Sequence, residues 1–198
     1  MTILQSLISS LQIAGGFLVV GIILLFLFFL IAIYNSLMQL KNNIDKAWAN
    51  IDVLLKKRLD LIPTLVDVVK AYTKYEGGVL EEITRIRASA LQAEQIPDKA
   101  RGNDAVSASL KSIFVLAENY PDLKASDNFL HLQEEIAAIE NQIAQRREFY
   151  NDAVLYYNTK LETIPSNVVA FLLRFKPREY FRVDEKARTP VRISLEDR

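Results

Sequence analysis

Residues 17–33 read FLVVGIILLFLFFLIAI, and this stretch decides the class of the protein. Fifteen of its seventeen residues are Ile, Leu, Val or Phe, and residues 14–16 (Ala-Gly-Gly) extend the uncharged run. About 20 apolar residues in a helix cross the ~30 Å hydrocarbon core of a bilayer. The sequence therefore predicts a transmembrane helix over residues 13–34, after an uncharged N-terminal segment, residues 1–12. The side chains expected to anchor it in lipid include Phe17, Leu24, Phe28 and Ile33.

Two other interpretations of this run are a cleaved secretory signal and a buried helix of a soluble core. The segment before the run has no Lys or Arg, the run is long for a signal peptide, and no small-residue cleavage site follows it. A soluble-core helix normally keeps a polar face, which this run lacks. Membrane insertion gains roughly 4 to 9 kcal/mol, at about 0.3 to 0.6 kcal/mol for each large apolar side chain. A retained anchor is therefore favoured.

Positive charge follows the apolar run and does not precede it. Lys41 and Lys46 lie just after the run, with Asp45 between them. Since cytoplasmic flanks carry the excess of Lys and Arg, we expect a single-pass protein of the cell (inner) membrane whose body faces the cytoplasm. The alternative is that these lysines form an ordinary solvated helix face.

The composition excludes several classes of function. The chain has 24 basic and 24 acidic residues, so no net field attracts nucleic acid. It has no cysteine, which excludes disulfides, thiolate catalysis and cysteine-based zinc sites. At 198 residues, one compact body on one anchor is the default expectation.

The body has the apolar spacing of helices. One face runs from Ile44 to Tyr72, with no Gly or Pro between Tyr34 and Pro63, so the first helix can continue directly from the membrane span. Pro63 cannot donate to the Leu59 carbonyl and should kink this helix, and the two glycines at 77 and 78 should end it.

Three more helices are expected after the first. The second carries Val79 to Ala90 and stops before Pro97, which opens a loop over residues 97–102. The third is capped by Asn103 or Asp104 and ends at Tyr120-Pro121. The fourth is capped by Ser126 or Asp127, and its apolar residues recur every seven positions, at Phe129, Ile136, Ile143, Tyr150, Tyr157 and Ile164.

These helices predict an all-α fold, in which an N-terminal transmembrane helix is followed by an antiparallel four-helix bundle of two long and two short helices over residues 35–164. In that topology the fourth helix returns toward the membrane and delivers residues 165–181, an apolar segment with aromatic and basic residues. Such a composition suits the headgroup region. The alternative is that it caps the bundle core or packs on a neighbouring subunit. The candidate membrane-surface or interface residues are Phe171, Phe175, Arg178, Tyr180 and Phe181.

Several short sequence motifs resemble those of the LemA family. They include YNSL at 34–37, AW at 47–48, R-x-D-L-I-P-x-L from 58 to 65, YPDLKAS-x-N-F from 120 to 129, R-x-F-Y-N-D-A from 147 to 153, IPSN at 164–167 and FKPREYF at 175–181, together with Tyr72, Glu76, Arg87, LQEE at 132–135, Glu140 and Asn158. The resemblance covers about residues 30–181. It implies an antiparallel helical bundle on a membrane anchor and supplies no enzymatic activity. The tail, residues 182–198, matches none of these motifs.

No catalytic, cofactor-binding or metal-binding residue is predicted. His131 with Glu134 and Glu135 has helical metal-ligand spacing, but a di-metal bundle site needs a Glu-x-x-His pair on each of two helices. The polar residues that match the family on the two long helices could instead form a buried network that fixes helix register, or a small-ligand site. They are Arg58, Asp60, Tyr72, Glu76, Arg147, Tyr150, Asn151 and Asn158.

The sequence therefore favours a non-enzymatic scaffold. We expect a membrane-anchored, self-associating protein that presents a rod-like bundle and an amphipathic patch to lipid. The alternative is an adaptor or regulatory subunit that docks on a specific membrane protein. The expected partners are membrane lipid, further copies of the chain and, in the alternative, that membrane protein, without nucleic acid or a cofactor.

Overall fold

The computed structural model describes residues 2–74 and 76–182, with side chains described from residue 15 onward. Every regular element in this part of the chain is an α-helix, which confirms the predicted all-α class. The helices are α1 (Thr2–Tyr72), α2 (Gly77–Gln92), α3 (Ile96–Ala117), α4 (Pro121–Lys124), α5 (Asp127–Glu162) and α6 (Ser166–Leu172).

The chain divides into two compact units. Among the described residues, unit 1 contains residues 2–43 and 155–178, and unit 2 contains residues 44–74, 76–154 and 179–182. Helices α1 and α5 each contribute to both units. The predicted tail lies outside the described residues from position 183 onward.

Helix α1 continues through Pro63, and a side chain from α2 compensates for the missing donor. A proline cannot donate to the carbonyl four residues earlier, which here belongs to Leu59. Arg87 Nε donates to that carbonyl oxygen at 2.8 Å. Because buried carbonyls need a partner, this bond allows α1 to run uninterrupted from Thr2 to Tyr72.

Two predicted helix ends were wrong. Helix α1 ends at Tyr72, before the glycines, which form the first turn of α2 instead. Helix α3 begins at Ile96, so the predicted loop over residues 97–102 is helical. Pro97 occupies the first turn of α3, where a helix needs no backbone donor. A Cβ on Gly102 would lie 3.3 Å from the Cβ of Ala90, so this glycine permits the close approach of α3 to α2.

An apolar core in unit 2 contains residues from all five helices α1 to α5. Leu65 and Val69 of α1, Ile83 of α2 and Ile113 of α3 are fully buried in it, beside Leu123 of α4. Phe129, Leu132 and Ile136 of α5 complete the cluster. The core explains why these helices form, since each buries the apolar stripe that its sequence carries.

Within unit 2, α1 and α5 run antiparallel. The Trp48 ring lies 5.6 Å from the Tyr150 ring, and Arg58 bonds to Glu140 at 2.9 Å. From Trp48 to Arg58 the chain advances ten residues in α1, while the contacted residue moves ten residues back in α5, from Tyr150 to Glu140. The predicted stripe of α5 is buried from Phe129 to Tyr157, whereas Ile164, beyond the end of the helix, is exposed.

In unit 1, α6 packs against the end of the apolar run of α1. Ile33 and Leu37 of α1 form a buried cluster with Val169 and Ala170 of α6. Phe175, which follows α6, borders this cluster and meets the Tyr34 ring edge-on at 6.1 Å.

A Schellman turn closes α6. The Arg174 N–H donates to the Phe171 carbonyl at 3.2 Å, and the Phe175 N–H donates to the Ala170 carbonyl at 2.9 Å. Arg174 takes the left-handed conformation that this turn requires, with φ of 56°.

Candidate functional site

Residues 17–29 of the apolar run of α1 are all exposed. Phe17, Phe28 and Leu24 are 75, 71 and 61% exposed, respectively. A patch of this size is costly in water and marks a surface that meets lipid or protein. By length and composition, α1 is the one helix in the described chain suited to cross a membrane.

Ile33 does not share this exposure. It was predicted to face lipid as an anchor residue, but it is buried against Val169 and Ala170 of α6. The correction has a simple cause, because α6 covers the last turn of the apolar run.

The opposite side of α6 is apolar and exposed. Phe171 is 84% exposed, and Val168, Leu172 and Leu173 are each more than half exposed. Ile164, just before α6, is also exposed. Unit 1 therefore presents a second apolar surface, which we call the α6 patch, on the helix that packs against the end of the apolar run.

The predicted interface residues separate into two groups. Phe171 lies in the exposed α6 patch, whereas Phe175 is half-buried against Tyr34. Phe181 was predicted at a surface, but it is fully buried in unit 2, with its ring 5.6 Å from that of Trp48. Arg178 and Tyr180 are half-buried. The prediction for Phe181 was wrong because its aromatic partner lies in α1, far away in sequence.

In unit 1, Asn158 of α5 holds the chain that follows α6. Its amide nitrogen donates to the Arg178 carbonyl at 2.9 Å, and its amide oxygen accepts from the Arg178 N–H at 2.9 Å. The Tyr157 hydroxyl donates to the Lys176 carbonyl at 3.1 Å. An extended segment without a strand partner thus has its backbone groups satisfied by side chains.

The same two-bond pattern occurs once in unit 2. The Asn151 amide oxygen accepts from the Phe181 N–H at 2.9 Å, and its nitrogen donates to the Phe181 carbonyl at 3.4 Å. Tyr150 donates to the Glu179 carbonyl at 2.8 Å, and the Arg147 guanidinium lies 5.7 Å from the Phe181 ring centre. These contacts give Arg147, Tyr150 and Asn151 a common task, which is to hold residues 179–181 on α5.

Arg58 is the centre of a separate polar cluster in unit 2. It is 1% exposed and donates to the Ser107 hydroxyl, the Asn103 carbonyl and Glu140 Oε2, each at 2.9 Å. A further bond reaches the Asn103 side-chain oxygen at 2.5 Å. Ser107 in turn donates to the other Glu140 oxygen at 2.8 Å. The cluster therefore joins α1, α3 and α5 through one guanidinium.

Burial of the Arg58 charge has a cost that offsets part of the stability gained from the contacts of this cluster. Burial lowers the pKa of Arg58 below its ordinary value, and attraction from Glu140 offsets that shift only in part. A lowered pKa means that the folded protein disfavours the charged form relative to water. The cluster instead suits a role in fixing the register of the helices, because the buried guanidinium needs acceptors from α3 and α5 at matching positions.

The eight predicted network residues do not form one buried network. Asp60 and Tyr72 are exposed and were wrongly included. Glu76 is half-buried and accepts from the Tyr120 hydroxyl at 3.1 Å, away from Arg58. The remaining five belong either to the Arg58 cluster or to the contacts with residues 178–181.

Sequence reasoning missed two of the partners of Arg58. The sequence predicts Asn103 as a helix cap and assigns no role to Ser107, although both lie on the side of α3 that contacts Arg58. Glu140 is one of the residues that match the LemA family, and this match was the only sequence feature that pointed to it.

A cavity of about 160 Å³ lies beside Arg58 in unit 2. Its lining includes Leu55, Leu59 and Val106, with Lys99 and Asp52 at the polar side. Lys99 pairs with Asp52 and lies 5.6 Å from the Trp48 ring centre. Lys99 and Asp52 at this cavity are thus already engaged with each other.

The histidine of α5 has no metal-like surroundings in the part of the chain that the structure describes. His131 and Glu134 are exposed, and Glu135 pairs with Lys57 at 3.0 Å. Among the described residues, no group of three potential ligands is arranged to hold an ion.

Comparison with known proteins adds a family and several relatives. The family model described as "LemA family" matches residues 47–195. The protein LemA of Metamycoplasma hominis is 29% identical over 174 residues, covering 86% of this chain and 78% of that protein. The magnetosome proteins MamQ 2 of Paramagnetospirillum magneticum and MamQ of Magnetospirillum gryphiswaldense are 24% and 21% identical, each covering 80% of this chain and 68% of the relative.

Proposed function

Because the chain belongs to the LemA family and carries an exposed apolar helix, we propose that it is a non-enzymatic, membrane-anchored helical scaffold. In this proposal residues 13–34 span the inner membrane of a bacterial cell. Residues 35–164 form an antiparallel four-helix bundle built on α1, α2, α3 and α5, which self-associates. Residues 165–181 contribute an amphipathic surface that lies on the bilayer.

The observation that carries the proposal is the position of the α6 patch. Phe171 is 84% exposed on a helix whose other face packs on Ile33, the last residue of the apolar run. If the run spans the hydrocarbon, its last turn lies at the edge of the bilayer, and α6 lies at the same depth. Seven residues are too few to span a membrane, so α6 rests in the interface.

Membrane contact of α6 can be tested directly because the chain has no native cysteine. A Phe171→Cys variant, labelled with a fluorophore and reconstituted in liposomes, should be quenched by lipids that carry a doxyl group near the headgroup. Val115→Cys is the matched control, since Val115 is an exposed apolar residue of α3 in unit 2. Equal quenching at the two positions, or none at Phe171, would refute the proposed surface.

Self-association is supported by exposed apolar side chains of unit 2. Val53 and Phe149 are each more than 60% exposed, and such side chains favour contacts between copies. Mass photometry of the detergent-solubilised full chain should therefore give species larger than a monomer. A strict monomer at all accessible concentrations would contradict this part of the proposal.

The alternative is an adaptor that uses the same apolar side chains to dock on another membrane protein. Affinity purification at native expression separates the two functions, because a scaffold recovers mainly itself and an adaptor recovers a second protein in fixed ratio.

The Val115→Cys variant also tests on which side of the membrane the body lies. For a cytoplasmic body, a membrane-impermeant maleimide labels it only after the cells are lysed.

A further inference from the structure

We infer that unit 1 binds the phosphate of an anionic phospholipid headgroup in a cleft that lies between α1 and the chain following α6. This inference rests on the proposed membrane surface and goes beyond it by naming the lipid class. The cleft is lined by Tyr34, Met38 and Lys41 of α1, Tyr157 of α5, and residues 173–178.

The charge of the cleft favours an anion. Lys41, Arg174, Lys176 and Arg178 contribute to its lining, and no Asp or Glu is among the described residues that form it. Arg174 and Lys176 are exposed, and Lys41 is half-buried. Basic side chains on a protein surface next to a membrane attract anionic headgroups, and guanidinium groups match phosphate oxygens in a bidentate geometry.

The depth of the cleft suits a headgroup. Tyr34 directly follows Ile33, and tyrosine is enriched where hydrocarbon meets water. Lys41 lies seven residues beyond Tyr34 in α1, about 10 Å at 1.5 Å per residue, and its long stem can bring the ammonium back toward the interface. The cleft thus begins at the edge of the apolar run and extends into the headgroup layer.

The conformation of Arg174 points to a use for its side chain. The left-handed position of a Schellman turn is normally occupied by glycine, because a Cβ is unfavourable there. This chain has an arginine at that position, with φ of 56°, so the backbone tolerates strain to keep a cation at the cleft. Strain of this kind concentrates at functional sites.

The surroundings favour a lipid over a free phosphate ion. Leu173 lines the cleft next to Arg174, and Phe171 and Leu172 are exposed one turn earlier on α6. An anion with acyl chains would engage the basic cleft and this apolar edge together, whereas inorganic phosphate would use the cleft alone.

Native mass spectrometry of the full chain released from detergent micelles tests the inference. The wild type should retain phosphatidylglycerol in preference to phosphatidylcholine. Arg174→Gly should reduce the apparent affinity for phosphatidylglycerol about fivefold, the equivalent of about 1 kcal/mol for one basic residue near the surface. Its melting temperature should stay equal or rise, because glycine suits the turn. Lys111→Gln, which removes an exposed cation of α3 in unit 2, is the control and should change neither quantity.

Three outcomes would overturn the inference. The first is equal retention of the two lipids by the wild type, and the second is unchanged phosphatidylglycerol retention in Arg174→Gly. The third is stabilisation by inorganic phosphate that matches stabilisation by phosphatidylglycerol, since the site would then serve a soluble anion. If one of these outcomes is found while Phe171→Cys is still quenched in pure phosphatidylcholine, the headgroup inference alone fails and the proposed membrane surface stands.

Discussion

Replacing Arg87 with methionine is expected to destabilise the folded chain by about 2 kcal/mol. Methionine keeps most of the aliphatic stem but removes the donor that reaches the Leu59 carbonyl at 2.8 Å. A hydrogen bond from a charged donor contributes about 1.5 to 3 kcal/mol, and a buried acceptor left without a partner costs a similar amount. Arg87 is half-buried, which places the expected loss in the middle of that range.

A second substitution shows whether the loss comes from the gap at Pro63. Pro63→Ala supplies a backbone N–H to the Leu59 carbonyl and removes the need for Arg87. Methionine at position 87 should therefore cost less than about 0.5 kcal/mol in the Pro63→Ala background. The coupling energy between the two positions is then about 1.5 kcal/mol, well above the additivity error of about 0.5 kcal/mol.

Thermal unfolding of the full chain in detergent, followed by circular dichroism, measures these differences. A change of 1 kcal/mol shifts the melting temperature of a chain of this size by about 2 to 4 °C, so Arg87→Met should lower it by about 4 to 8 °C. Arg85→Met is the matched control on α2, because Arg85 pairs with Glu82 at the exposed surface, where ion pairs contribute little. An equal loss for Arg87→Met in both backgrounds would refute the compensation.

Other consequences of the structure can be measured. Glu140→Leu should cost about 2 to 3 kcal/mol in chemical denaturation, more than Arg58→Met, because it leaves a buried cation without its counter-ion; the reverse order would contradict this account. Asn158→Leu should speed tryptic cleavage after Arg178 by removing both bonds to that backbone, and unchanged cleavage would show that the bonds are dispensable. The hydrogen bond to Glu76 raises the pKa of Tyr120 above its ordinary 10.0. The stability that this hydrogen bond contributes is therefore present below pH 10 and is lost as the pH rises through the raised pKa. Glu76→Gln should lower that pKa in an NMR titration of the tyrosine ring.

The class of the fold was predictable because apolar patterns are local. The run over residues 17–33 and the seven-residue spacing of α5 indicate helices without knowledge of any partner. The start of α3 was not predictable in the same way. A proline before a polar stretch suits a loop and the first turn of a helix equally well, and packing of Gly102 against Ala90 favours the helix.

The polar contacts were harder to predict because they join distant parts of the sequence. Arg58 bonds to Asn103 and Glu140, 45 and 82 positions away, and sequence pattern alone does not choose among the polar residues of α3 and α5. Phe181 lies beside arginines and a tyrosine in sequence, which is typical of a membrane interface. Its burial against Trp48 depends on a contact that only the folded chain reveals.

Trp48 is the single tryptophan of the chain, and its ring lies 5.6 Å from the rings of both Tyr150 and Phe181. Its fluorescence therefore reports on whether residues 179–181 are seated on α5, without any added label. When that segment detaches, the Phe181 ring leaves and more of the half-buried indole meets water, so the emission moves to longer wavelength. Trp48 is thus an intrinsic fluorescent probe for the attachment of residues 179–181 to α5, and it can be followed in a bilayer and in real time.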